Sequence, residues 1–246
     1  MPRKADIRIV ADTKELSRVV AEEFVRLAGE AVRESGLFTV ALSGGSTPKG
    51  LYSLLATPEF SGQVPWLRVY LFWGDERCVP PDHPESNYRM ARETLISNVP
   101  IPEENVYRMR GENAPPEAAE EYERALRGFF RLSEPDLPRF DLILLGLGED
   151  GHVASLFPGS RALSETGRLV TASFVEHLKT PRLTLTLPVL NHGAHIFFLV
   201  AGENKAHVLR DVFQKRDGSE NLPARRIEPH DGRLLWFVDD GAAEQF

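Results

Sequence analysis

Short apolar runs of strand length alternate with longer stretches of helical apolar spacing from one end of this chain to the other. Few architectures satisfy that rhythm, and the expected class is α/β, because strands separated by helices pair parallel and bury both sheet faces. The spacing predicts strands at 7–11, 38–42, 69–73, 142–145, 169–174, 183–187, 196–200 and 234–238. It predicts helices at 13–35, 49–56 with Pro48 in the first turn, 87–97 capped by Ser86, 118–131 and 205–213. In the first helix Leu16, Val19, Val20, Phe24 and Leu27 share one face, and Gly36 stops it. Leu142-Ile143-Leu144-Leu145 shows no polar alternation, as expected of a central parallel strand covered on both sides. Polar stretches at 82–85, 111–116 and 214–223 read as loops, the first two near the rim of a site. With no internal repeat, one domain over 1–246 is the expectation.

Composition narrows the function classes. The chain is 42% hydrophobic and 26% charged, and no apolar run approaches the ~20 residues that span a bilayer, so a soluble protein is expected. The start, MPRKADIRIV, has no apolar leader region, which reads as cytoplasmic. Cys78 is the only cysteine, leaving no intrachain disulfide and no cysteine-based metal cluster; a small buried hydrophobe is its expected role. A formal net charge of −7 gives no field attractive to nucleic acid or to an acidic membrane. Any anionic ligand must therefore meet a local positive site.

Three expected strands run into motif-bearing loops at their C-terminal ends, where open parallel sheets place ligands. In SGGSTP, Gly44 and Gly45 permit close backbone approach, Ser46 and Thr47 supply hydroxyls, and the following helix offers free N–H groups to an anion. Leu51 and Tyr52 exclude a Walker loop, and Pro48 excludes a nucleophile elbow around Ser46. A plain glycine turn with Thr47 as a helix cap remains the alternative. In GLGEDGH, Gly146, Gly148 and Gly151 fit the letter of a dinucleotide fingerprint, but Glu149 and Asp150 would repel a pyrophosphate. An imidazole can exchange a proton near neutral pH, and Asp150 precedes His152 closely enough to orient it, so the pair reads as a candidate base and its support. In WGDERCVP, Asp75, Glu76 and Arg77 follow a strand directly; Arg77 suits a phosphate or carboxylate, with a solvated charge cluster or local ion pair as the alternative. Arg182 and Lys205 stand alone in sequence, and a surface charge is the commoner fate of such a residue.

A metal site finds no support in the pattern. His192 and His195 are three apart, without an HExxH or an obvious third ligand, and read as a structural pair. His83, His177, His207 and His230 receive no role.

Taken together, SGGSTPKGLY, FWGDERCVPPDHPESNYRMARETLI and DLILLGLGEDGHVASLFPG, continued by TPRLTLTLP and GENKA, resemble the 6-phosphogluconolactonases in order and spacing over most of the chain. The resemblance implies a single doubly wound, mostly parallel sheet flanked by helices, shared with glucosamine-6-phosphate deaminases. It implies hydrolysis of a phosphorylated sugar lactone without cofactor or metal, in a monomer or small homo-oligomer. His152 is then the general base and Asp150 its supporting carboxylate. Gly44, Gly45, Ser46, Thr47, Arg77, Arg182 and Lys205 become the substrate and phosphate contacts. The deaminase branch carries a catalytic glutamate in a segment like HIAFNEP, where HVASLFP here places Phe157, which cannot shuttle a proton. A non-catalytic sugar-phosphate sensor would keep the cradle with no need of His152.

Overall fold

The computed structural model describes residues 6–174, 180–214 and 221–246; His177 and the middle of the expected 214–223 loop lie outside them. The chain runs β1 (Asp6–Val10), α1 (Thr13–Ser35), β2 (Phe38–Leu42), α2 (Ser46–Leu55), α3 (Pro58–Ser61), β3 (Val69–Trp73), β4 (Asp75–Arg77) and α4 (Asn87–Thr94). It continues with α5 (Pro115–Phe130), β5 (Leu142–Leu145), β6 (Val170–Ser173), β7 (Arg182–Leu185) and α6 (Leu187–Leu190). The last described elements are β8 (His195–Val200), α7 (Ala206–Phe213), β9 (Arg233–Asp239) and α8 (Asp240–Ala243).

Local chemistry explains the elements that match expectation. Asp12 caps α1 by accepting the Glu15 N–H at 2.8 Å, and Gly36 closes it in the left-handed region at φ 83°. Its buried face carries Leu16, Val20, Phe24 and Leu27, while Val19 is only partly covered.

Six strands form the sheet β1-β9-β8-β5-β2-β3, and every neighbouring pair is parallel. The expected α/β class therefore stands, with helices covering the sheet. All four residues of β5 are buried. Its ladder with β2 spans only Val40↔Leu142 and Ala41↔Ile143, and Asp141 extends it. The Asp141 carboxylate accepts from both the Thr39 N–H and the Thr39 hydroxyl at 2.7 Å, locking the register just before the strand begins. From β2 the chain moves outward to β3, whereas from β5 it moves the other way to β8 and β9. The loops leaving β2 and β5 part at that switch, opening a crevice above the strand ends.

Two differences from expectation shape the walls of that crevice. The helix expected at 49 begins at Ser46, so Gly45 is its N-cap and Ser46, Thr47 and Pro48 are its first turn, with no side-chain cap. Asp75–Arg77, read as a loop, is an edge strand of a second, three-stranded antiparallel sheet, β4-β7-β6. Three charged residues carry no β signal of their own; the partner strand β7 supplies the pairing. A smaller change is that α4 ends at Thr94, followed by a 3-10 turn at Ile96–Asn98. No described helix is long and apolar enough to cross a membrane.

Leu144 is fully buried at the centre of this sheet. Leu144→Ala is expected to lower the unfolding free energy by about 2–5 kcal/mol in chemical denaturation; a loss under about 1 kcal/mol would mean that β5 is not the packed centre.

Candidate active site

A cavity of about 320 Å³ opens above the C-terminal ends of β2, β5 and β8 and is walled on one side by β4 and β7. That volume suits a small ligand. Gly44, Gly45, Ser46, Thr47, Arg77, His152, Arg182 and Lys205 all line it, so the structure gathers residues from five separate segments. Asp150 stands behind them, touching His152 instead of the cavity.

The His152 imidazole is held by a turn. Gly151 N–H donates to the Gly148 carbonyl at 3.0 Å, leaving Glu149 and Asp150 as the two central residues. Gly148 N–H then donates to the His152 carbonyl, also at 3.0 Å. Asp150 Oδ1 accepts from His152 N–H at 3.1 Å and from its Nδ1 at 2.5 Å. With Nδ1 carrying the proton, Nε2 holds the lone pair. Burial works to raise the Asp150 carboxyl, but the hydrogen bond and charge of His152 outweigh it and hold it below the ordinary carboxylate value. Phe157 lies against the other side of the base, its ring centroid 4.3 Å from that of His152 and tilted by 33°. Its side chain is buried and excludes water from that flank.

Glycine is required at Gly148 because a Cβ there would overlap the imidazole. The same holds at Gly44, where a Cβ would run into the Asn87 carboxamide. Next to it, α2 presents its uncapped first turn to the cavity, an arrangement that favours an anion.

The cations come from the second sheet. Arg77 and Arg182 are directly opposed in the β4–β7 register. Arg77 donates to the Glu85 carbonyl at 2.5 Å, yet its Nε and that of Arg182 are buried without a hydrogen-bond partner. Burial lowers the Arg182 pKa, and the charge of Arg77 lowers it further. Two partly buried guanidiniums on opposed residues, each with a buried Nε left unsatisfied, are costly, on the order of 1–3 kcal/mol for each unmade bond. An anion seated between them and Lys205 would remove that cost.

Beneath the arginines, Asp75 and Glu76 are 7% and 2% exposed, which rules out the solvated charge cluster allowed by the sequence. Asp75 accepts from the Ser155 hydroxyl at 2.7 Å and from the Asn87 amide at 3.2 Å. Ser155 N–H in turn donates to Thr184 Oγ1 at 3.2 Å, tying the His152 loop to β7. Glu76 accepts the backbone N–H groups of Arg77, Asn87 and Tyr88 and the Ser86 hydroxyl, which anchors the start of α4. Burial pushes its carboxyl above the usual range despite those donors. Asp75 and Asn87 line the cavity and were not among the expected site residues. The sequence signal for Asp75 was its position directly after a strand; Asn87 carried none.

The remaining expectations also find places. His192 Nδ1 and His195 Nδ1 each lie 3.1 Å from a backbone carbonyl, of Pro138 and Asp141 respectively, away from the cavity. Cys78 is half-buried, and burial pushes its thiol up to about 11, consistent with a packing role.

The family model described as "Glucosamine-6-phosphate isomerases/6-phosphogluconolactonase" matches residues 11–236. A 6-phosphogluconolactonase from Synechocystis is 46% identical over 216 residues, 87% of this chain and 87% of that protein. The solved 6-phosphogluconolactonase from Trypanosoma cruzi superposes with a TM-score of 0.87 at 33% identity, covering 99% of this chain and 97% of that one. A monomeric glucosamine-6-phosphate deaminase superposes with a TM-score of 0.80 at 18% identity, covering 98% of this chain and 100% of that one, a likeness of fold alone.

Gly148→Ala should break the His152–Asp150 hydrogen bond while the fold persists. Imidazole 15N shifts report this directly, and shifts identical to those of the parent would show that the turn accommodates a side chain.

Proposed function

Because this chain belongs to the glucosamine-6-phosphate isomerase/6-phosphogluconolactonase family, we propose that its cavity hydrolyses 6-phospho-D-glucono-1,5-lactone to 6-phospho-D-gluconate. This is the second step of the oxidative pentose phosphate pathway. The observation that carries the reading is one cavity holding both a carboxylate-supported imidazole and a pair of guanidiniums whose buried Nε groups lack partners. The first is equipment for removing a proton; the second is equipment for holding a phosphate. Residues 1–246 act as one domain on this reading, since the two sheets supply opposite walls of one site.

The geometry supports a route with a single base. Arg77, Arg182 and Lys205, with the first turn of α2 at Gly45, Ser46 and Thr47, hold the phosphate and fix the sugar in register. His152 Nε2 takes a proton from water as the water oxygen bonds to the lactone carbonyl carbon, producing a tetrahedral oxyanion. Backbone N–H groups of the glycine turns or a nearby cation stabilise that charge. The intermediate collapses by breaking the bond from that carbon to the ring oxygen, which receives the proton held by His152. Asp150 fixes the tautomer and offsets the imidazolium charge formed between the two transfers. Asp75 is placed to accept a sugar hydroxyl. A carboxylic ester of this reactivity needs no metal, and none enters these steps. Phe157 offers no second proton-transfer group beside the base, which favours hydrolysis over deamination.

Two measurements test this on freshly generated lactone, corrected for its spontaneous opening. His152→Ala should lower kcat by about two to four powers of ten with phosphorylated ligands still bound; near-normal turnover would sink the assignment. Arg182→Ala should raise KM for the phosphorylated lactone about tenfold or more while kcat changes less, and an unchanged KM removes it from the phosphate site. Ammonia released from glucosamine 6-phosphate in the parallel assay would move the reading to the deaminase branch.

A further inference from the structure

Glu149 takes no part in lactone hydrolysis as derived from the cavity, although it shares the central positions of the His152 turn with Asp150. Its carboxylate reaches away from the base, accepting from the Asn204 side-chain amide at 2.6 Å. Asn204 is the middle residue of the 3-10 turn Glu203–Lys205, and Lys205 lines the cavity. The rear of that turn is fixed as well: Gly202 N–H donates to the Asp239 carboxylate at 2.9 and 3.1 Å. Asp239 also caps α8 through the Ala242 N–H at 2.9 Å and accepts the Thr13 hydroxyl at 3.1 Å. The Lys205 turn is therefore pinned to the sheet behind and to the His152 turn in front. Adjacent carboxylates of one turn divide two tasks, Asp150 holding the base and Glu149 holding the turn that carries a phosphate cation.

We propose that Glu149 is a positioning residue, which acts through Asn204 to keep Lys205 in register with His152, so that the anchored phosphate and the proton acceptor stand at a fixed separation. The inference rests on the lactonase reading for its catalytic consequence and on the bridge alone for its effect on phosphate binding. A bare carboxylate beside an anion site would oppose binding; here one oxygen is engaged by Asn204 as the acceptor that joins the two turns. Glu149→Gln keeps an acceptor and loses the charge, whereas Glu149→Ala loses both, so the pair separates the bridge from the field.

The experiment compares Glu149→Ala, Glu149→Gln, Asn204→Ala and the double alanine variant by kcat/KM on the phosphorylated lactone, by the pH profile of that rate, and by calorimetric affinity for inorganic phosphate. Glu149→Ala and Asn204→Ala should each lower kcat/KM by about fivefold, the worth of one such hydrogen bond, and the double variant should lose no more than either. Glu149→Gln should stay near the parent, and the limbs of the pH profile should not move. Glu149→Ala should also bind phosphate more weakly than Glu149→Gln. Additive losses, a Glu149→Gln variant as damaged as Glu149→Ala, or a displaced pH limb, which would place the effect on Asp150 and His152, each overturn the proposal. If the parent protein opens no lactone, the catalytic reading fails; the bridge is then decided by phosphate affinity, and equal affinity in the Glu149→Ala and Glu149→Gln proteins overturns it.

Discussion

An all-parallel sheet allows no hairpin between neighbours, so each strand must be reached by a crossover along one face. Everything functional here descends from that constraint. Both faces are covered, which is why β5 is apolar throughout. The strand ends that point the same way collect the loops that point the same way, and at the switch between β2 and β5 those loops separate enough to admit a ligand. The glycine loop after β2 and the His152 loop after β5 are neighbours because their strands are paired, although about a hundred residues separate them in the chain.

The second sheet solves the electrostatic problem of an acidic chain that handles an anion. With a net charge of −7, long-range attraction is unhelpful. Strands β4 and β7 instead bring Arg77 and Arg182 together across one ladder position. Their mutual repulsion is tolerated because Asp75 and Glu76 lie buried beneath, each bound by its own donors. The same layer reaches the base loop through Ser155 and Thr184, so the cation pair and His152 belong to one hydrogen-bonded body.

What the sequence disclosed divides along the range of the forces involved. Helix α1 and strands β2, β3 and β5 were readable to their ends because their signals are local: Asp12 and Gly36 at the helix termini, uninterrupted apolar residues in the strands. The His152 turn was readable for the same reason, with glycines and a carboxylate within a few residues of the ring. Strand β4 was not, since Asp75–Arg77 becomes a strand only when β7 lies alongside. Arg182 and Lys205 were singled out by family resemblance, as a lone cation in sequence looks the same whether it faces solvent or a cavity. Asn87 and the Glu149–Asn204 bridge depend on contacts between distant segments and left no local trace.

The acidic turn that carries the base has a bearing on what happens after bond cleavage. On the proposed route, collapse leaves a carboxylic acid at the reacting carbon beside a neutral imidazole, and Asp150 already places a negative charge on the far side of that ring. Once the acid has lost its proton to solvent, two carboxylates flank the ring with no counter-charge between them. The phosphate end, gripped by cations, is indifferent to the change. On that route departure of the product is favoured from the newly charged end, so that the chemistry makes its own leaving force and a strong anion anchor need not become a trap.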